Sequence, residues 1–345
     1  MPAPLRVALV GYGLAGKYFH APLIGATQGF SLVTIVSSDP AKVQADLPNV
    51  TIVEGLAAVL GDPSIDLVVI ATPDQIHCEQ ALAALDAGKH VVIDKPFAPT
   101  LAEAEIIAAR AAESDRIVSI FHNRRWDADF LTLKHLIDED ALGQIVQFDS
   151  HFDRFRPALG SRWKDQRDGG VWQDLGPHLV DQTVQLFGMP KAIFADIGIQ
   201  KAGGLAPDYA HVLLRYARLR VTLRISQLVA ANSLRFAVHG TSGSFIKHGL
   251  DPQEDQSKAG ISPLDLQWGK DPYPGTLTRI GADGAAHETA VKSARGSYRA
   301  FYESVRDAIT GQGPNPVPPA QALDVMRLID AGLESAQSGR EVRFG

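Results

Sequence analysis

Residues 10–16 read VGYGLAG, directly after the apolar run LRVALV at residues 5–10 and before a helix-like segment. Gly11, Gly13 and Gly16 have the spacing G-x-G-x-x-G, which permits a tight strand-to-helix turn, close approach of the backbone to a pyrophosphate, and close packing of the helix on its strand. The N-terminus of that helix presents free N–H groups to the anion. The context favours a dinucleotide site over an ordinary glycine-rich turn. The predicted contacts are Gly11, Tyr12, Gly13, Leu14 and Ala15.

The composition is that of a globular protein with small-molecule partners. The 345 residues are 45% hydrophobic and 21% charged, which is enough for about two domains. The formal net charge of -6 is spread without a basic stripe, so we expect no nucleic acid or membrane surface as a partner. The single cysteine, Cys78, excludes an internal disulfide and suits a reducing compartment. No signal-peptide pattern or apolar run of about 18 residues is present, so we expect a cytoplasmic protein.

Residues 1–121 predict an α/β fold, namely a Rossmann dinucleotide-binding domain with a doubly wound parallel sheet. Apolar strand candidates alternate with helix-length segments, and LVVI at residues 67–70 is apolar throughout, as in strands that are covered on both faces. After the first strand, the predicted strands are 31–36, 51–53, 66–71, 90–93 and 117–121.

Residues 122–345 have a different pattern and predict a second domain. The strand candidates here are longer and alternate apolar with polar residues, which favours an open, mostly antiparallel sheet with one exposed or partner-covered face. Residues 251–295 are rich in Gly, Pro and Asp, and predict a long surface excursion. The predicted strands are 144–155, 192–200, 210–216, 220–227 and 235–239, and the later helices are 297–310 and 320–338.

The choice of cofactor depends on the end of the second strand, where an acidic residue would bind the ribose hydroxyls of NAD. Ser37 and Ser38 stand there, and they leave room for a 2'-phosphate, to which Lys42 could add charge. Asp39 is better explained as the N-cap of a helix that begins with Pro40. We therefore predict NADP, with NAD as the alternative.

Two further strand tips carry polar residues at the carboxyl edge of the sheet, where ligands of such folds bind. One tip has Thr72, Pro73 and Asp74, followed by His77, and it also reads as a simple helix start. The other has Asp94, Lys95 and Pro96, for which the plain alternative is a surface loop. The restricted backbone of a residue before proline limits the directions that the Lys95 side chain can take.

A third group of polar residues lies in the second domain. Asp174 and His178 are four positions apart, so in a helix the carboxylate could orient the imidazole. A histidine can exchange the proton that alcohol oxidation releases, although a structural histidine fits the spacing equally well. A metal site built on His122, His151 and His178 is not expected, because no paired-ligand signature occurs.

Together, these motifs resemble the Gfo/Idh/MocA oxidoreductase family over nearly the whole chain. The segments HNRRWD at 122–127, SHFDRFRP at 150–157, DLGPH at 174–178 and GLDPQE at 249–254 resemble the branch that contains NADP-dependent scyllo-inositol dehydrogenases. The resemblance implies a Rossmann domain followed, over residues 122–345, by an α/β domain for substrate binding and oligomerisation. The open sheet of that domain often forms a dimer or tetramer interface, so we expect a homodimer or homotetramer.

The resemblance also implies residue roles. Lys95 matches the lysine that holds the substrate hydroxyl and the nicotinamide ribose, His178 matches the acid–base residue, and Asp174 matches its partner. Asp94 replaces the family's glutamate and keeps the charge. The predicted cofactor contacts outside the glycine turn are Ser37, Ser38, Thr72, Pro73, Asp74, His77, Asp94, Lys95, Pro96 and Asn123. The predicted substrate-facing residues are Lys95, Asn123, Arg124, Trp126, Asp153, Arg154, Trp163, Asp174 and His178.

The function expected from these observations is NADP-dependent interconversion of a secondary alcohol of a cyclic polyol or sugar with its ketone. Two alternatives stay open: an NAD-dependent glycosidase on the same scaffold, and a non-catalytic sensor that binds a dinucleotide. Retention of Lys95 and His178 argues against the sensor. The stereoisomer of the substrate depends on side-chain placement around several equivalent hydroxyls.

Overall fold

The computed structural model describes residues 3–159, 169–231, 234–281 and 283–345. The chain divides into two compact units. The first unit comprises Met1–Trp126, Pro252–Trp268 and Ser297–Leu323, and the second comprises Asp127–Asp251, Gly269–Gly296 and Asp324–Gly345. Both units are therefore assembled from three segments of the chain. The division into domains at residues 121 and 122 is linear along the chain and stays a prediction.

The first unit contains the predicted Rossmann sheet. Its strands are β1 (Leu5–Val10), β2 (Phe30–Val36), β3 (Thr51–Val53), β4 (Leu67–Ile70), β5 (His90–Ile93) and β6 (Val118–Ile120). They are all parallel, in the order β3-β2-β1-β4-β5-β6, so the strand order reverses between β1 and β4. Ligands of such sheets bind at this switch point, beside the carboxyl ends of the strands. Every residue of β4 is buried, as its unbroken apolar sequence predicts.

Helices cover this sheet, and two of them begin at a residue whose side chain caps the first turn. They are α1 (Ala21–Ala26), which follows a π-helical turn at Gly16–His20, α2 (Pro40–Asp46), α3 (Leu56–Leu60), α4 (His77–Asp86) and α5 (Leu101–Glu113). At α2 the Asp39 carboxylate accepts a hydrogen bond from the Lys42 N–H at 3.1 Å, and Pro40 is the first helical residue. The predicted N-cap is confirmed.

Replacement of Asp39 with alanine is expected to lower the free energy of unfolding by about 1 kcal/mol, because it removes this cap. The Asp39→Asn variant should keep the stability of the original chain, since asparagine caps helices as well as aspartate does. Urea unfolding of the three proteins measures the difference. A change in the preference between NADP and NAD in Asp39→Ala, at unchanged stability, would contradict the capping role.

The second unit contains the larger sheet, which is mixed but mostly antiparallel. Its strand order is β14-β13-β12-β11-β7-β10-β9-β8-β15, and β7 and β10 form its parallel pair among the described residues. The helices are α6 (Ala128–Asp138), α7 (Gly170–Phe187) and most of α10 (Pro319–Ser338). The strands are β7 (Ile145–Asp153), β8 (Ala192–Gly198), β9 (Tyr209–Arg215), β10 (Arg220–Ser226), β11 (Leu234–Gly240), β12 (Gly243–His248), β13 (Gly275–Ile280), β14 (Ala286–Val291) and β15 (Val342–Arg343).

One face of this sheet is apolar and covered, and α7 lies against it. Leu179 and Val180 of the helix, Phe148 of β7 and Leu223 of β10 belong to one buried core. Burial of each such side chain contributes about 1.5–3 kcal/mol. Alternate residues of the same strands point to the other face. This alternation is why the sequence could predict an antiparallel sheet with two unlike faces.

The prediction that residues 251–295 form only a surface excursion is wrong. The segment contains α8 (Gln253–Lys258), which belongs to the first unit, and the hairpin of β13 and β14. Gln253 and Trp268 are buried. The sequence AHETAV of β14 lacks apolar alternation because its side chains are largely exposed, so backbone pairing with β13 holds the strand in place. Within the described part of the chain, the helices are too short or too polar to cross a membrane.

Candidate active site

The glycine turn after β1 has the shape that a pyrophosphate requires. Gly11 has a φ of +98°, and a Cβ there would lie 2.7 Å from the carbonyl oxygen of Ala71. A Cβ on Gly16 would collide with the carbonyl oxygen of Gly11, so the helix packs closely on the turn. In contrast, a Cβ on Gly13 would have no atom within 4 Å, which leaves open space in front of the backbone. The turn therefore fits a dinucleotide on the grounds of its own geometry.

The predicted phosphate-binding residues follow β2, and one of them contacts this turn. Ser37 Oγ accepts a hydrogen bond from the Asp39 N–H at 3.1 Å, and Ser38 is exposed. Lys42 Nζ donates to the carbonyl oxygen of Tyr12 at 2.9 Å, which places its ammonium group beside the glycine turn. With Asp39 used as a helix cap, Ser37 and Lys42 are the polar side chains described here that lie nearest the turn.

Tyr12 lies between this lysine and a second charged pair. Its hydroxyl donates to Asp46 Oδ2 at 3.2 Å, and the same oxygen lies 2.7 Å from Lys17 Nζ. Burial, and to a smaller extent Asp46, raises the pKa of the Tyr12 hydroxyl well above its usual range. Tyr12 therefore remains protonated and stays a donor to Asp46.

His77 brings the tips of β4 and β5 together. Its ring is buried, Nε2 lies 3.0 Å from the carbonyl oxygen of Thr72, and Nδ1 lies 3.0 Å from that of Pro96. The Thr72 hydroxyl donates to the side chain of Gln80 at 2.8 Å. Asp74 is buried in a 3-10 turn, Asp74–Ile76, between the two tips. These residues share one edge of the sheet, as the sequence predicted from strand ends alone.

The Asp94 carboxylate has two neighbours, the backbone N–H of Lys95 and the ring of His20. Its Oδ1 accepts a hydrogen bond from the Lys95 N–H at 2.8 Å and lies 3.7 Å from Nε2 of the buried His20. Burial raises the pKa of the Asp94 carboxyl, but the nearby His20, Lys95 and His77 outweigh burial, so the pKa is lowered overall. Asp94 is therefore a carboxylate. The peptide bond between Lys95 and Pro96 is cis.

A third residue, Tyr302, contacts His20, and sequence reasoning missed both. Tyr302 lies in α9 (Arg299–Ile309), is fully buried, and has its hydroxyl oxygen 2.6 Å from His20 Nδ1. The His20 ring packs on Phe121, with centroids 4.4 Å apart. His20 is four residues beyond Gly16, but Tyr302 is 282 positions further along the chain. No spacing in the sequence links two residues at that distance.

A short 3-10 helix, Asn123–Trp126, carries three of the predicted substrate-facing residues. Asn123 and Arg124 are buried, and Trp126 is half-buried. Arg124 forms an ion pair of 2.6 Å with Glu254, which α8 contributes, and also donates to the Tyr298 hydroxyl at 3.4 Å. The guanidinium of Arg124 is thus charge-compensated within the first unit.

In the second unit, α7 carries Asp174 and His178 one turn apart, as predicted for a helical segment. His178 is buried, and its ring lies nearly parallel to Phe152 of β7, with centroids 6.3 Å apart. The guanidinium of Arg154 lies 5.0 Å from the same phenyl ring. Phe152, which the sequence did not single out, therefore brings the predicted residues Arg154 and His178 together.

Asp153 ends β7 with a buried carboxylate. Its Oδ2 lies 3.4 Å from His151 Nδ1, whereas its Oδ1 has no hydrogen-bonding partner among the described residues. A buried oxygen of this kind is suited to accept a hydrogen bond from a ligand hydroxyl. Trp163, the remaining predicted substrate residue, lies outside the described residues.

A buried network anchors α7 to its surroundings. Arg235 of β11 forms an ion pair of 3.1 Å with Asp129 of α6, and donates to Gln182 of α7 at 2.5 Å and to Ser150 of β7 at 2.8 Å. Gln182 is one turn beyond His178. Among the described residues, no group of three His, Cys, Asp or Glu side chains is arranged to hold a metal ion.

Comparison with known proteins shows that two parts of the chain match the two domain models of one family. Residues 5–122 match the family described as "Oxidoreductase family, NAD-binding Rossmann fold", and residues 134–344 match "Oxidoreductase family, C-terminal alpha/beta domain", both of Gfo/Idh/MocA. The chain is 49% identical to the uncharacterised oxidoreductase YdgJ of Escherichia coli (strain K12), with 96% of each chain covered. It is 38% identical to IolW, scyllo-inositol 2-dehydrogenase (NADP(+)) of Bacillus subtilis (strain 168), over 98% of this chain and 95% of IolW.

The chain is also similar to a solved structure. The structure of YPO2259 from Yersinia pestis has a TM-score of 0.97 and 46% identity, and the match covers 100% of this chain and 98% of that one.

Proposed function

Since the chain belongs to the Gfo/Idh/MocA oxidoreductase family, we propose that it is an NADP-dependent dehydrogenase. It interconverts a secondary alcohol of a cyclic polyol or sugar with its ketone. The observation that carries the proposal is the set of proton-handling residues: Lys95 beside the ionised Asp94, and His178 one turn beyond Asp174. IolW, at 38% identity, supports the polyol substrate class and the choice of NADP.

Lys95, His178 and Asp174 each have a role in the proposed reaction. The nicotinamide cofactor, which the glycine turn and the strand tips of the first unit would hold, would supply the acceptor for the hydride of the carbinol carbon. Lys95 donates a hydrogen bond to the substrate hydroxyl and stabilises the negative charge that develops on its oxygen. His178 accepts the hydroxyl proton, and Asp174 stabilises the resulting imidazolium. One proton and one hydride leave the alcohol, which becomes a ketone, and the reverse reaction returns both.

We propose polar and aromatic side chains for the recognition of hydroxyl groups. Asp153 offers its buried carboxylate oxygen to a hydroxyl, and Asn123, Trp126 and Arg154 line the remaining proposed contacts. Arg124, whose guanidinium is paired with Glu254, could donate a hydrogen bond to a hydroxyl. A few well-placed polar groups of this kind suit a hydroxyl-rich substrate.

An assay of the purified protein with NADP and a panel of inositols and sugars tests the proposal. Turnover that produces absorbance of the reduced cofactor supports the dehydrogenase. Release of a free sugar from a glycoside, with no net change in that absorbance, would instead identify an NAD-dependent glycosidase. Binding of the dinucleotide without any turnover across the panel would identify a sensor.

The choice of NADP rests on Ser37, Ser38 and Lys42. Removal of the ammonium group in Lys42→Met is expected to raise the Kd for NADPH about 10-fold, since one charge-assisted contact to the 2'-phosphate is lost. The Kd for NADH should change little, because NADH lacks that phosphate. Fluorescence titration of both cofactors measures the effect.

A matched control for this measurement is Lys134→Met, because Lys134 pairs with Asp138 on the surface of α6. It should leave both Kd values unchanged. Equal weakening of NADPH and NADH in Lys42→Met, or tighter binding of NADH by the original protein, would overturn the assignment of NADP.

We also propose that the protein is a cytoplasmic homodimer or homotetramer that associates through the sheet of the second unit. Phe194 of β8 and Leu213 of β9 are paired in register on the face opposite the core and are both exposed. We propose these adjoining exposed apolar side chains as part of the association surface. Sedimentation velocity of the Leu213→Glu variant should show a smaller species than the original protein, and an unchanged sedimentation coefficient would contradict this interface.

A further inference from the structure

Beside Lys95, three polar side chains form a row within the first unit: the buried Tyr302 and His20, and the partly buried Asp94. The Tyr302 hydroxyl lies 2.6 Å from His20 Nδ1, and Asp94 Oδ1 lies 3.7 Å from His20 Nε2. The carboxylate of Asp94 also accepts the Lys95 N–H at 2.8 Å. His20 and Tyr302 are both fully buried, and the proposed reaction does not use either of them.

The tautomer of His20 follows from its two neighbours. Burial, together with the charge of Asp94, raises the pKa of Tyr302 well above its usual value, so Tyr302 keeps its proton. If Nδ1 carried the ring proton, the lone pair of Nε2 would face the Asp94 carboxylate, and the two would repel each other. If Tyr302 donates to Nδ1, the proton lies on Nε2 and points at the carboxylate, which is attractive. The second arrangement is favoured.

From this geometry we infer that Tyr302 and His20 are positioning residues for Lys95, which they hold in place through Asp94. Tyr302 fixes the tautomer of His20. The His20 Nε2–H then attracts the Asp94 carboxylate electrostatically across 3.7 Å, a distance too long for a hydrogen bond, and the carboxylate accepts the Lys95 N–H at 2.8 Å. The aspartate that stands in place of the family's glutamate is thereby supported by a row of buried groups. The inference depends on the proposed function only for its kinetic consequence.

The Tyr302→Phe variant tests the inference with little change in packing. Two properties that do not depend on activity are expected to change. The population of the Nε2–H tautomer of His20, measured by 15N NMR, should fall. Exchange of the Lys95 amide proton should become about 10-fold faster. The Asp94 amide, which donates to the carbonyl of Ile70 in the sheet, should exchange as before and reports on local unfolding.

Steady-state kinetics of the Tyr302→Phe variant provide a second test of the inference. With kcat measured for the alcohol, Tyr302→Phe is expected to lower kcat about 10-fold while the Kd for NADPH stays within about 2-fold. The control is Tyr216→Phe, which also loses one hydroxyl, donated to the carbonyl of Gly188, but in the second unit. It should change neither kcat nor the Lys95 amide.

A pair of His20 variants separates positioning from packing. His20→Gln keeps an N–H donor toward Asp94 and should retain kcat within a few-fold, whereas His20→Leu should lose it about 10-fold. Equal losses in the two variants would overturn the inference, as would an unchanged Lys95 amide in Tyr302→Phe. If the original protein has no dehydrogenase activity but the Lys95 amide responds to Tyr302→Phe, the proposed function fails and the row of positioning groups stands.

Discussion

Replacement of His178 with alanine is expected to lower kcat by about 10²- to 10⁴-fold, the usual contribution of a positioned acid–base group. The Kd for NADPH should stay unchanged, because the predicted cofactor contacts are the glycine turn, the strand tips and Asn123, all in the first unit. Stopped-flow and steady-state assays with the substrate found in the panel measure the loss. His178 is buried against Phe152, so its removal also leaves a space, and thermal unfolding must accompany the kinetics.

The control for this experiment is His135→Ala, because His135 is an exposed histidine on α6 that faces Glu139. It should leave kcat unchanged. Partial recovery of His178→Ala by added imidazole would show that a proton acceptor, rather than packing, had been removed. If kcat of His178→Ala equals that of the original protein at several pH values, the acid–base assignment is wrong.

Replacement of Lys95 with methionine is expected to lower kcat by about 10²- to 10³-fold, the typical effect of removing one donor that stabilises a developing oxyanion. Methionine keeps the length of the side chain and removes its charge. Because the barrier to hydride transfer rises, the deuterium isotope effect on kcat for a substrate labelled at the carbinol carbon should increase. The Kd for NADPH tests whether the cofactor still binds.

A rise in KM with an unchanged kcat would contradict the proposed role of Lys95. It would mean that the lysine binds the ground state and the transition state equally. Lys134→Met again provides the control for a lysine that is removed at the surface. The Asp94→Asn variant separates the charge of Asp94 from its hydrogen bond, because asparagine removes the charge beside Lys95 and keeps an acceptor for the Lys95 N–H.

The parts of the fold that could be predicted are those with a local signal. The continuous apolar sequence of β4 and the glycine spacing at residues 11–16 are sufficient to predict the parallel sheet and its turn. The cap formed by Asp39 with Pro40 predicts the start of α2. In each case the residues that determine the structure are adjacent or a few positions apart.

The parts that could not be predicted depend on contacts between distant segments. β14 has no apolar alternation because it pairs by its backbone at the edge of a sheet. Arg124 finds its carboxylate at Glu254, and Asp94 finds His20 and, through it, Tyr302. The residue types at the site were recognisable from short motifs, but the buried groups that hold them were not, since a single sequence does not record which segments meet.

The three-segment construction of the first unit also sets an order of events during synthesis. The glycine turn and the strands of its sheet are complete by residue 120, but the segment that contains Tyr302 begins only at Ser297. At about 5–20 residues per second, Tyr302 leaves the ribosome on the order of 15–60 s after His20. The contact between His20 and Tyr302 therefore cannot form until most of the second unit has been made, so the support beside Lys95 depends on a late segment of the chain.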